Sequence, residues 1–85
     1  LQPGDPGIMD TIGWIYFQKR DLEMAVEMLT ASVRLFKDSP YSRYHLGRAY
    51  YDLGEYEKAK REMKAALKLD PDFKDAAEAR QILGQ

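Results

Sequence analysis

The sequence predicts an all-α chain of five helices stacked as antiparallel helical hairpins. Three observations predict this class. Apolar residues recur at spacings of three and four, as in Leu22, Val26, Leu29, Val33 and Phe36, and nowhere alternate over a strand length. The prolines, at positions 3, 6, 40 and 71, all lie outside those periodic stretches. The chain also matches itself at one fixed offset, which pairs Gly13 with Gly47, Tyr16 with Tyr50, Ala25 with Ala59 and Ala31 with Ala65. A constant period of that size marks stacked supersecondary units, none of which can bury its apolar face alone.

Each helix has its own start and stop signals. The first, expected over 6–19, opens on Asp5-Pro6, an N-cap side chain ahead of a proline whose missing N–H costs nothing there. The second, over 22–36, has Asp21 as its cap, and the third, over 40–53, has Ser39-Pro40. Gly54 supplies the left-handed residue that ends the third helix. Its equivalent in the first unit is Arg20, which is expected to adopt the same strained conformation. The fourth helix, over 56–69, stops at Asp70-Pro71-Asp72, and a short fifth follows over 73–83. Connections of two to four residues make neighbours in sequence antiparallel neighbours in space.

Gly13, Gly47, Ala25 and Ala59 let helix backbones approach closely, and Tyr16 and Tyr50 fill the volume beside each contact. The four methionines, at helical spacing, are expected to fill core gaps. In the fifth helix Ala76, Ala79 and Leu83 form one narrow stripe, with Asp75, Glu78 and Gln81 outside it, as suits a capping helix. The organisation expected is a tail of a preceding unit over 1–5, repeats over 6–39 and 40–73, and the cap over 74–85.

Leu46-Gly47, Tyr50, Ala59, Ala66 and Pro71 resemble the tetratricopeptide-repeat signature, and Ile12-Gly13, Tyr16, Ala25 and Ser32 repeat it, with Lys37 where the proline would be. The resemblance covers 6–73 and implies a right-handed stack of hairpins whose first helices line a concave binding surface. Asp10 to Tyr16 also resembles a late repeat of long bacterial arrays of this kind. A peptide clamp known in the family holds a C-terminal carboxylate with lysines and asparagines. Asp10, Thr11, Trp14, Tyr44 and His45 stand at the corresponding places here, so that ligand is not carried over.

Composition excludes several classes of function. Eighty-five residues make one small domain or a piece of a larger protein. Thirteen basic against fourteen acidic residues, net −1, offer no bulk attraction to nucleic acid, and no per-repeat base-reading pattern is present. Without cysteine and with one histidine, no disulfide, thiol catalysis or ordinary metal site is expected, and no cofactor. No apolar run reaches the roughly 20 residues of a membrane span, so no membrane insertion is expected, and Leu1 to Gly7 does not read as a signal peptide. His45, with Ser42 and Asp52 on its own helix, has no catalytic motif around it, and no enzyme is expected. Lys58, Lys60, Arg61, Lys64 and Lys68 are interrupted by Glu57 and Glu62 and read as a solvated face.

The third helix is apolar on two sides, which means that it is either sandwiched or lines a groove. Leu46, Gly47, Tyr50 and Leu53 form the packing side, while Tyr41, Tyr44, Arg48 and Tyr51, with Asp52 beside them, face away. Asp10, Trp14, Phe17 and Gln18 fall on the equivalent side of the first helix. Trp, Tyr and Arg are the residue types enriched at binding hot spots. These nine residues are therefore the candidate contacts for a protein or peptide segment, with Arg48 pairing an acidic or carbonyl group. The alternative is a purely structural terminal unit whose recognition lies in repeats further upstream. The stripe Ile8, Ile12, Ile15 predicts self-association through the first helix.

Overall fold

In the computed structural model the described residues are 6–84, and they form α1 (Pro6–Gln18), α2 (Leu22–Leu35), α3 (Pro40–Asp52), α4 (Tyr56–Leu69) and α5 (Ala76–Leu83). The expected Asp5 cap and the 1–5 tail lie outside them. Each helix packs on the next in sequence, and α1 also reaches α3. The result is an elongated stack measuring 37 × 25 × 18 Å.

The caps are made as the sequence implies. Asp21 accepts a hydrogen bond from the Met24 amide at 3.3 Å, and the Ser39 hydroxyl accepts one from the Ser42 amide at 3.2 Å. The two intra-hairpin turns are copies of each other. Arg20 (φ 67°) and Gly54 (φ 84°) both lie in the left-handed region. The amide after each, from Asp21 and Glu55, reaches back to the Tyr16 and Tyr50 carbonyls at 2.9 Å. That is the closing bond of a left-handed C-terminal cap, made once in each repeat.

Close helix contacts explain Gly13 and Gly47. A Cβ on Gly13 would stand 2.6 Å from Leu29 Cγ, and one on Gly47 would stand 2.9 Å from Met63 Cε and 3.2 Å from the Ala59 carbonyl oxygen. One core, Phe17, Ala25, Leu29, Val33, Leu46 and Ala49, joins α1, α2 and α3. A second joins Tyr44, Met63, Ala66, Phe73, Ala76, Ala79 and Ile82 across α3, α4 and α5. Between α2 and α3, Ser32 and Ser42 share a fully buried hydrogen bond of 3.0 Å, so neither hydroxyl is left unsatisfied.

Two expectations about the end of the chain are corrected. The last helix begins at Ala76, not at 73, because Phe73 is drawn out of helical register into the second core. Residues 70–75 form turns, with the Ala76 amide bonded to the Phe73 carbonyl at 2.9 Å. The buried stripe of α5 is Ala76, Ala79 and Ile82, whereas Leu83 is only partly covered.

Candidate partner-binding face

Helix α3 is sandwiched. Leu46 and Ala49 enter the first core, and Tyr44, two residues before Leu46, enters the second. Tyr44 is 3% exposed and packs edge-on against Phe73 with ring centroids 5.7 Å apart. Phe17 on α1 is 7% exposed. The expectation that Tyr44 faces away from the packing is therefore corrected: the Phe73 turn and α5 cover that side of α3. Sequence periodicity identifies a second apolar face but not which later segment lies on it.

Around these two buried rings the structure assembles a row of side chains from three helices. His45 Nδ1 on α3 meets both carboxylate oxygens of Asp10 on α1, at 2.9 and 3.0 Å. The Trp14 indole stacks on His45 (4.2 Å) and almost flat on Phe17 (4.4 Å, 4° between planes). The Arg48 guanidinium lies 5.4 Å from the Phe17 ring centre, donates to the Tyr44 hydroxyl at 3.2 Å and pairs with Glu78 of α5. Beyond it Arg20 pairs with Asp52 at 2.9 Å and lies 5.2 Å from the Phe17 ring centre. The carboxylates Asp10, Asp52 and Glu78 thus each meet a basic group of the same chain.

Burial raises the Tyr44 phenol above its ordinary value, and the carboxylates of Glu78 and Asp75 add to the rise against the opposing pull of Arg48. For Arg48, burial disfavours the charge, but the hydrogen bond and field of Tyr44 together with Glu78 and Asp52 outweigh it and raise its pKa. The guanidinium is a fixed cation at the centre of the row.

Of the expected contact residues, Asp10, Trp14, Phe17, Tyr44 and Arg48 come together in this row, and Asp52 joins its end through Arg20. Tyr41, 46% exposed, stands edge-on to Phe73 at 6.0 Å. Tyr51 turns to Tyr56 at 5.2 Å, and Gln18 is exposed. Three further members carry no motif: His45, Arg20 and Glu78. A signal for His45 exists, since Asp10 and His45 are separated by one repeat plus one residue, which sets them on adjacent stacked helices. Glu78 has no such signal, because its place depends on how α5 crosses α3. Among the described residues no group of three His, Cys, Asp or Glu side chains could hold a metal ion, and no helix is long and apolar enough to cross a membrane.

The family model of the tetratricopeptide repeat matches residues 12–84. DnaJ homolog subfamily C member 3 of Gallus gallus is 34% identical over 59 residues, 69% of this chain but 12% of that protein. Among solved structures, the first TPR of Spaghetti (RPAP3) bound to the HSP90 peptide SRMEEVD superposes with a TM-score of 0.84 at 24% identity, covering 95% of this chain and 65% of that one. At that identity the likeness is one of fold. The chain spans less than two thirds of each of these relatives.

Proposed function

The chain belongs to the tetratricopeptide-repeat family, and on that footing we propose that it is a non-catalytic protein-interaction module that holds a peptide segment of a partner along the face shared by α1, α3 and α5. The observation that carries the reading is the row Asp10–His45–Trp14–Phe17–Arg48–Glu78, in which aromatic surface and paired charges from three helices are held in fixed positions. Prepositioned aromatic surface loses little conformational entropy on binding, which favours affinity. Phe17 and Tyr44 support the row from beneath, and a partner touches Trp14, Gln18, Tyr41 and Tyr51, with hydrogen bonds to the edges of the paired charges. Arg48 is already engaged by Glu78 and Tyr44, so it is a polar rim group here and not a free cation waiting for a carboxylate.

The peptide named with the solved neighbour, SRMEEVD, carries three acidic residues and one basic one. Arg20, His45 and Arg48 on this face are already paired with Asp52, Asp10 and Glu78, so the row offers no free cation to such a ligand. The alternative of a purely structural unit is favoured by the burial of Phe17 and Tyr44, whose rings serve helix packing.

Trp14 is the single tryptophan, so its emission reports occupancy of this face directly. Peptides selected from a display library on the whole chain are expected to shift that emission saturably, and Gln18→Ala with Tyr41→Ala to weaken them while thermal unfolding is retained. SRMEEVD is expected to leave the emission unchanged. Selected peptides that bind the double variant equally and never move Trp14 would sink this reading in favour of the structural one.

A further inference from the structure

The repeat pattern places a proline after the second helix of each hairpin, and Pro71 fills that place after α4. After α2 the same place holds Lys37, a departure that the helix-packing logic does not use. Lys37 lines a surface cavity of about 320 Å³ together with Arg43 of α3 and Ala65, Lys68 and Leu69 of α4. Three of the five lining residues are basic and none is acidic. Arg43 is held by one bond to Glu62, at 3.2 Å, and its buried Nε has no partner among the described residues. Lys37 and Lys68 are exposed and enter no ion pair among the described residues.

Apolar surface lies at the same place. Leu69 is 40% exposed, and Leu35 and Phe36, immediately before Lys37, are 60% and 50% exposed. Single exposed apolar residues need no explanation, but an exposed leucine that lines a basic cavity, with two more exposed apolar residues just before Lys37 in the chain, is the mixed composition that interfaces use. Charge complementarity selects the occupant: in a chain of net charge −1 this lining carries two lysines unpaired among the described residues, Lys37 and Lys68, beside Arg43, which Glu62 already pairs.

We propose that the cavity between the α2–α3 loop and the end of α4 is a second docking site, separate from the α1–α3–α5 face, for an acidic protein segment that inserts an aliphatic side chain onto Ala65 and Leu69. Flanking carboxylates of the segment meet Lys37 and Lys68, with Arg43 held in place beside them by Glu62.

The test uses the whole chain and a fluorescein-labelled peptide, Asp-Glu-Leu-Glu-Leu-Asp, read by anisotropy. Saturable binding is expected, weakening with salt as exposed charges are screened. Lys37→Glu with Lys68→Glu is expected to weaken it by about tenfold, and Lys37→Ala with Lys68→Ala by less, with unfolding midpoints held. A peptide with serine in place of both leucines is expected to bind at least about tenfold more weakly, since the buried aliphatic contact is gone. Trp14 emission is expected to stay unchanged, which separates this site from the one above. Absence of saturation at millimolar peptide would overturn the proposal, as would equal binding by the serine peptide, which indicates diffuse charge attraction. Binding to vesicles of mixed phosphatidylcholine and phosphatidylserine that the acidic peptide does not displace would overturn it in favour of a membrane surface.

Discussion

Arg20 and Gly54 occupy the same left-handed turn in successive repeats, at φ 67° and 84°. One has a side chain that the conformation penalises and the other has none. The arginine makes partial use of its awkward position, since from it the guanidinium reaches Asp52 and the Phe17 ring.

Exchange at these two positions has opposite outcomes. Gly54→Arg is expected to cost about 1 kcal/mol from backbone strain, with no clash, because nothing lies within 4 Å of a Cβ there. Arg20→Gly relieves a similar strain of about 1 kcal/mol but gives up an exposed ion pair worth about 0–1 kcal/mol, so it is expected to be neutral to slightly stabilising. Urea midpoints of both variants check this. A marked loss for Arg20→Gly means that the ion pair outweighs the turn.

Tyr44 and Gly47 are expected to fail alike. Tyr44→Ala empties part of the second core and is expected to cost about 3 kcal/mol or more, a large share of the stability of so small a chain. Gly47→Leu drives a side chain into Met63 and the Ala59 carbonyl and separates α3 from α4. Thermal melts by circular dichroism should show both broadened or lost. A Tyr44→Ala variant that melts like the parent would return Tyr44 to the solvent side.

The alkaline limb of stability should carry a Tyr44 component. Burial makes the folded chain hold the phenolic proton more tightly than the unfolded chain does. Stability from this group is therefore full below the ordinary tyrosine value of 10.0 and falls as pH rises from there through the higher value in the fold. Absorbance of ionised tyrosine should show a late step that Tyr44→Phe removes, with a shallower loss of stability above that pH. An unchanged titration curve in Tyr44→Phe would contradict it.

The outer stripe of α1 predicts self-association. Ile12 and Ile15 are 37% and 45% exposed, while their equivalents Leu46 and Ala49 are buried beneath α2. A second copy pairing through this face buries the same surface. Sedimentation is expected to show a concentration-dependent dimer that Ile8→Ser with Ile15→Ala dissolves. A monomer at all concentrations would remove the prediction.

Helix identity is legible in the sequence because its determinants are local. Three-and-four spacing, Asp21 and Ser39 as caps, and the Gly54 turn each act within a few residues of themselves. The candidate face is legible only in part. Trp14 and Arg48 can be placed on one side of their helices by counting, but Glu78 cannot, since its pairing with Arg48 spans 30 residues and depends on the crossing of α5.

The sequence by itself determined the five helices, their antiparallel order, the doubled turn at Arg20 and Gly54 and the glycine contacts, because each follows from backbone geometry that recurs from one repeat to the next. Only the tertiary structure decided that both apolar sides of α3 are covered, one by the first core and the other by the second. Phe73 leaves the helix to fill the space against Tyr44, and that exchange of one turn of α5 for a buried aromatic contact turns an expected binding ring into core. Periodicity records that a face is apolar, whereas burial is a property of whatever distant segment comes to rest on it.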